Sequence, residues 1–183
     1  RGPEVDFGSN PDRFWFWTRA AEEKVILTGS HESLENQPNS PLPFPPSWLM
    51  ETLGVIPISP NGIEMQRDAG GPDRVRLISY VSLQGQQMQR VMVVDLKLGQ
   101  IVEHALYDER EQLVTSATLD DFRAHPAGVV LPHRIDLNWP QQKTELTLKL
   151  GTVQVNPEMS SAVWQVPSYP KYRVVDLDHQ VLR

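Results

Sequence analysis

The sequence predicts a mainly β protein: one long, curved antiparallel sheet with a single short helix packed on it. Three observations carry this reading. From Pro57 almost to the end, apolar and polar residues alternate with period two, as they do in strands with one dry face and one wet face. Sixteen prolines are too many for a helical bundle and suit short strands parted by turns. Residues 46–53 alone combine a proline suited to a first helical turn with a glycine, Gly54, suited to the left-handed stop.

Taken in order, the chain opens Arg1-Gly2-Pro3 with no methionine and no basic-then-apolar leader, which reads as a trimmed or partial chain. Residues 4–7 already alternate like a strand. Residues 13–19 (RFWFWTR) form an aromatic strand, and residues 24–30 (KVILTGS) are its partner across the turn at residues 20–23. Residues 31–46 are polar and proline-rich, a loop rather than a core element. In the helix, Leu49, Leu53 and Ile56 stand at i, i+4 and i+7 with Trp48 beside them, so it has one apolar face. The strands that follow place Ile63 with Met65, then Val75, Leu77 and Val81, then Met92, Val94 and Leu96 on shared faces. Val102, His104 and Leu106 come next, then Leu113, Ala117 and Leu119. His133, Ile135, Leu137 and Trp139 alternate against Arg134, Asp136 and Asn138, followed by Leu146, Leu148 and Leu150, with Val153 and Val155 closing the series. This predicts eight to ten strands in the sheet.

Length and composition narrow the function. A chain of 183 residues makes one domain and buries roughly 70% of its unfolded surface, so it folds without a staple. The absence of cysteine removes disulfides, thiolate metal sites and thiol nucleophiles. A net charge of −6, with no basic cluster, argues against a nucleic-acid partner. No apolar run approaches the ~20 residues of a membrane-spanning helix. There is no glycine-rich phosphate loop, no G-x-S-x-G elbow and no H-E-x-x-H. His104 and His133 lie on apolar strand faces and read as core or half-buried imidazoles, and His125 precedes a proline in a loop. Asp120 and Asp121, adjacent on a strand or turn, point apart and make no shared-proton dyad. Asp176, Asp178 and His179 lie close enough in sequence to coordinate a cation but read as surface. Nothing among these residues nominates an enzyme, and the chain is read as a non-enzyme with no cofactor and no metal.

Three patterns, in order, resemble the LolA/LolB-like superfamily of bacterial lipoprotein-localisation carriers and receptors. The first is the aromatic hairpin of Phe14-Trp15-Phe16-Trp17 leading into Val25-Ile26-Leu27-Thr28-Gly29. The second is the central meander from Arg90-Val91-Met92-Val93-Val94-Asp95 through Gly99-Gln100-Ile101 and Tyr107-Asp108 to Leu113-Val114. The third comprises Leu131-Pro132-His133-Arg134-Ile135, Leu146-Thr147-Leu148-Lys149-Leu150, Val153-Gln154-Val155-Asn156 and Val163-Trp164-Gln165-Val166-Pro167. The resemblance implies an unclosed β-barrel whose concave face is roofed by a short helical lid, with an apolar cavity between them for acyl chains. It also implies that residues 1–183 are a single such domain lacking the family's N-terminal helix and first hairpin. By the family's spacing, Phe14 and Phe16 face the cavity, and Trp48, Leu49 and Leu53 belong to the roof. The carriers have an arginine shortly before the aromatic strand that helps hold the lid closed; Ser9, Asn10, Pro11 and Asp12 stand there instead.

The implied function is a non-enzymatic cell-envelope protein, in the periplasm or at the outer-membrane surface. It would hold an acyl chain or a lipoprotein in the cavity and meet the membrane surface through an N-terminal anchor. The alternative is a structural or sensory envelope lipoprotein on the same fold, with a packed core and a protein partner. Trp15 and Trp17, on the other side of the aromatic strand, make a face that a further N-terminal segment or a second copy of the chain should cover, which predicts self-association. A mainly β circular-dichroism spectrum is expected; one dominated by helix contradicts the fold class.

Overall fold

A computed structural model describes residues 5–19, 23–30, 46–54, 57–83, 85–155 and 157–179. The expected loop over residues 31–46 lies outside the described residues, apart from Pro46. The chain divides into two compact units, residues 1–38 with 156–183 and residues 39–155.

The first unit is a four-stranded sheet. β1 (Val5–Ser9) pairs antiparallel with the aromatic strand β2 (Arg13–Thr18), and β2 with β3 (Val25–Ser30). The chain then returns from its far end, and β11 (Arg173–Asp176) pairs with β3 in parallel. The second unit is a seven-stranded antiparallel meander ordered β10-β9-β8-β7-β6-β5-β4. Its strands are β4 (Glu64–Arg67), β5 (Arg74–Leu83), β6 (Gln86–Asp95), β7 (Gln100–Tyr107), β8 (Leu113–Ala124), β9 (Val130–Trp139) and β10 (Thr144–Lys149). Among the described residues the edges β4 and β10 do not pair with each other, so the sheet stays open, as expected for the class. The strands are nevertheless divided between two sheets instead of lying in one. A strand formed after residue 170 finds its ladder on β3, and period-two patterning cannot show which strand a distant segment will meet. One α-helix, α1 (Pro46–Thr52), is present among the described residues, where the proline and Gly54 predict it. Gly54 has φ of 71°, the left-handed stop.

Packing follows the alternation on one face of the meander. Met92, His104, Leu106, Ala117, Ile135, Leu137 and Trp139 are all buried there. The other face is not wholly wet: Ile78, Val91, Val93 and Ala105 are buried as well. The reason is visible in Val91-Met92-Val93-Val94, an unbroken apolar run of the kind that fills both sides of a strand. Val153 and Val155 lie in no strand, and Val163-Trp164 forms a 3-10 turn (Ser161–Trp164).

The expected cover of Trp15 and Trp17 is corrected. Both are only 4% exposed and form a cluster with Ile26, against which Val166, Tyr169 and Tyr172 of the same chain pack. Trp17 meets Tyr169 at 4.8 Å and the edge of Tyr172 at 5.3 Å between ring centroids. Asp6 accepts a hydrogen bond from Tyr169 Oη at 2.8 Å and another from Trp15 Nε1 at 3.4 Å. Neither a missing segment nor a second copy is needed, because an aperiodic stretch with no pattern of its own supplies two tyrosines. Gly8, paired with Trp15 across β1 and β2, has no room for a side chain, since an added Cβ would overlap the indole. Gly8→Ala is expected to destabilise the fold by about 1–3 kcal/mol, read as a lower urea midpoint with an unchanged slope.

Candidate functional site

Helix α1 is seven residues long, too short to hold by propensity, so its position must come from what it touches. Its anchor is electrostatic. Arg90, in the middle of β6, is 3% exposed. Its Nη1 donates to both carboxylate oxygens of Glu51 at 3.1 Å, its Nε to Ser79 Oγ at 3.0 Å, and its Nη2 to the Ser59 carbonyl at 3.4 Å. Ser79 is the β5 partner of Arg90 in register, so strand and helix together surround the guanidinium.

Beside it stands His104, 1% exposed. Thr52 Oγ1 donates to the Trp48 carbonyl at 2.8 Å, one turn back in the helix, and lies 2.9 Å from His104 Nδ1. The hydroxyl proton is thereby used, so Nδ1 carries the hydrogen and donates. Nε2 is left as a lone pair with no hydrogen-bond partner among the described residues. Glu51 Oε2 is 3.9 Å away, too far for a hydrogen bond. Burial, and then the charge of Arg90, lower the His104 pKa from 6.5 to about 3, so the ring is neutral and makes no ion pair with Glu51. The indole of Trp48 lies 5.4 Å from the imidazole, and Trp48 and Leu49 are buried.

The end of α1 borders a cleft of about 610 Å³. Leu53 and Ile58 line one side, and Ile101, Leu119, Phe122 and Leu131 line the rest, with Glu51, Thr52 and Gln100 as its polar groups. This size lies within the ~300–1,000 Å³ of sites that take one small ligand. Of the five residues expected at a ligand site, Leu53 lines the cleft. Trp48 and Leu49 support the helix from beneath and do not line it. Phe14 and Phe16 lie on β2 in the other unit, Phe14 fully buried and Phe16 half-buried. Sequence reasoning missed Arg90 and Glu51. The signal was present, because Arg90 stands two residues before Met92 and so shares the dry face.

The other candidates resolve simply. Arg13 Nη2 bonds Asp176 at 3.0 Å and Asp178 at 3.1 Å, and Asp178 also accepts from the Ser30 amide and hydroxyl. A guanidinium thus occupies the place where a cation would sit, and hydrogen bonding to both carboxylates raises the Arg13 pKa. Asp120 and Asp121 are exposed on β8, and Asp121 is bound by Arg123.

No family model and no curated protein matches the sequence. Solved structures do. A putative outer membrane lipoprotein-sorting protein domain from Vibrio parahaemolyticus matches at 10% identity and a TM-score of 0.53, over 83% of this chain and 63% of that one. A DUF1329 family protein from Desulfovibrio piger matches at 11% identity and a TM-score of 0.57, over 90% of this chain and 72% of that one. The chain has a LolA-like fold. At these identities the likeness is one of fold alone, and the chain spans less than two thirds of the Vibrio domain. A LolA superfamily protein from Nitrosomonas europaea matches at 13% identity and a TM-score of 0.42, over 82% and 67% of the two chains.

The polar anchor generates two expectations. Glu51→Ala leaves the Arg90 charge buried and unanswered, and should cost about 3 kcal/mol in denaturant unfolding, whereas Glu51→Leu with Arg90→Met should recover most of that loss. The folded-state pKa of His104 is depressed, so the unfolded chain binds the extra proton first and stability falls as pH drops from 6.5 toward 3. His104→Gln should flatten that decline by up to about 1.4 kcal/mol per pH unit, measured as unfolding free energy against pH.

Proposed function

We propose that the chain is a non-enzymatic cell-envelope protein that holds one apolar chain, such as an acyl chain of a lipoprotein, in the cleft bordered by α1. The observation that carries the reading is the cleft itself: an open, mostly apolar volume beside a short helix whose position depends on a few polar bonds. The LolA-like fold supports the class of ligand, and the neighbour described as a lipoprotein-sorting domain supports the periplasm or outer-membrane surface as the place of action. Transfer from water contributes about 0.8 kcal/mol per methylene, so ten buried methylenes reach roughly 8 kcal/mol, a micromolar affinity. No bond needs to be made or broken, and no nucleophile, base or metal is called for.

A volume of about 610 Å³ suits one chain better than the several chains of a mature lipoprotein. In this reading Leu53 is the residue of the helix that meets the ligand, while Trp48 and Leu49 keep the helix in place. A second reading, a structural or sensory envelope protein with a protein partner, is favoured by the first unit. Trp15, Trp17 and Ile26 are packed there against Val166, Tyr169 and Tyr172.

Titration of the native protein with a fluorescent single-chain fatty acid separates the two. The binding reading expects saturation at one chain per protein. Leu53→Asp puts a charge on the wall of the cleft, and should weaken binding far more than its stability cost of about 1–2 kcal/mol explains. Absence of saturable binding to the native protein, or unchanged binding by the variant, favours the packed structural reading.

A further inference from the structure

A second polar cluster of the seven-stranded unit has no part in the cleft chemistry. His125 stands just past the end of β8 and His133 in β9. Their Nε2 atoms are 3.1 Å apart. The ring planes differ by 11°, and the centroids are 5.2 Å apart. With the nitrogens this close and the centroids this far, the rings meet end to end and not face over face. His133 is buried, and its Nδ1 lies 2.9 Å from the carbonyl oxygen of Leu150. That oxygen can only accept, so Nδ1 of His133 carries the hydrogen and its Nε2 is a lone pair. His125 then donates through Nε2, and one proton lies between two nitrogens.

This is the arrangement that a metal-bound imidazole requires. A backbone carbonyl on the far nitrogen fixes tautomer and ring orientation and leaves Nε2 for the cation. We propose that His125 and His133 form a site for a borderline divalent transition cation, which displaces the shared proton and is held by both Nε2 atoms, off the line that joins them. Bonds of about 2.0–2.1 Å set two such nitrogens roughly 2.9 Å apart at a right angle and roughly 3.3 Å at the tetrahedral angle. The observed 3.1 Å falls between these values, so chelation needs a turn of the half-buried His125 ring and little change in spacing. Proton balance follows from the tautomers. His125 gives up its Nε2 proton and takes one at Nδ1, so the neutral pair releases none, and a pair already carrying an extra proton releases one.

Among the described residues no third histidine or carboxylate completes a ligand set. Asp121 lies on β8 between the Asp120–Arg134 and Phe122–Pro132 pairs, and its carboxylate is held by Arg123. Water therefore fills the remaining positions, which suits copper(II) best, the tightest binder of the divalent series on nitrogen ligands.

The test is copper(II) added to the purified chain at neutral pH in a non-coordinating buffer, followed by electron paramagnetic resonance and by competition with a chelator. The expected result is one copper per chain with coupling to two imidazole nitrogens, a melting temperature raised by copper, and an affinity reduced about tenfold or more in His125→Ala and His133→Ala. His133 is buried, so if its variant fails to fold, the more accessible His125→Ala decides alone. Copper bound by His125→Ala with unchanged affinity and spectrum, or no copper bound by the native chain, overturns the proposal.

Discussion

A guanidinium cannot stay in a dry sheet interior unless a carboxylate answers it, and Arg90 meets that demand with Glu51 of α1. Most of what is distinctive in the seven-stranded unit depends on this pair. The helix is too short to persist alone, and the carboxylate that neutralises Arg90 is also what sets the helix over β6 and β7. Once it is set, Thr52 reaches His104, Trp48 packs beside the same ring, and Leu53 is left at the open end facing the strands. The cleft is the space that remains because the helix stops at Gly54 and covers only part of the sheet.

The same pair gives the helix its sensitivity. Apolar burial alone would hold it with a broad, non-directional attraction, tolerant of small shifts. A charge-assisted hydrogen bond to one buried charge is directional, so the helix has one good seat and poor alternatives. The arginine that contacts the helix, Arg90, stands in the middle of β6. Neutral His104, unable to take a proton until well below neutral pH, adds an acid-sensitive element to that seat without contributing charge at neutral pH.

Much of the fold was legible because alternation reports local geometry directly. The strand faces around His104, Ala117 and Ile135, the helix over residues 46–53 and its stop at Gly54 all follow from spacing. What escaped was non-local. The parallel return of β11 onto β3, and the cover of Trp15 and Trp17 by Tyr169 and Tyr172, join segments more than 140 residues apart in sequence. No periodicity encodes such pairing. Of the candidate site, Leu53 was legible as part of an apolar helical stripe. Arg90 was legible only through its alternation with Met92, and Glu51 looks like an ordinary surface charge until the two are brought together. The histidine pair escaped for the same reason: His125 reads as a loop residue, and only the hairpin brings it end to end with His133.

The central proposal is that this chain carries one apolar chain in the cleft bordered by α1. Native mass spectrometry of the protein isolated from its own cells, with bound lipid retained, tests it most directly. The account predicts a population heavier than the bare chain by a single acyl-bearing molecule, released when Glu51 is replaced and the helix is unseated. A bare mass throughout, in protein that remains folded and has been kept from detergent, contradicts it.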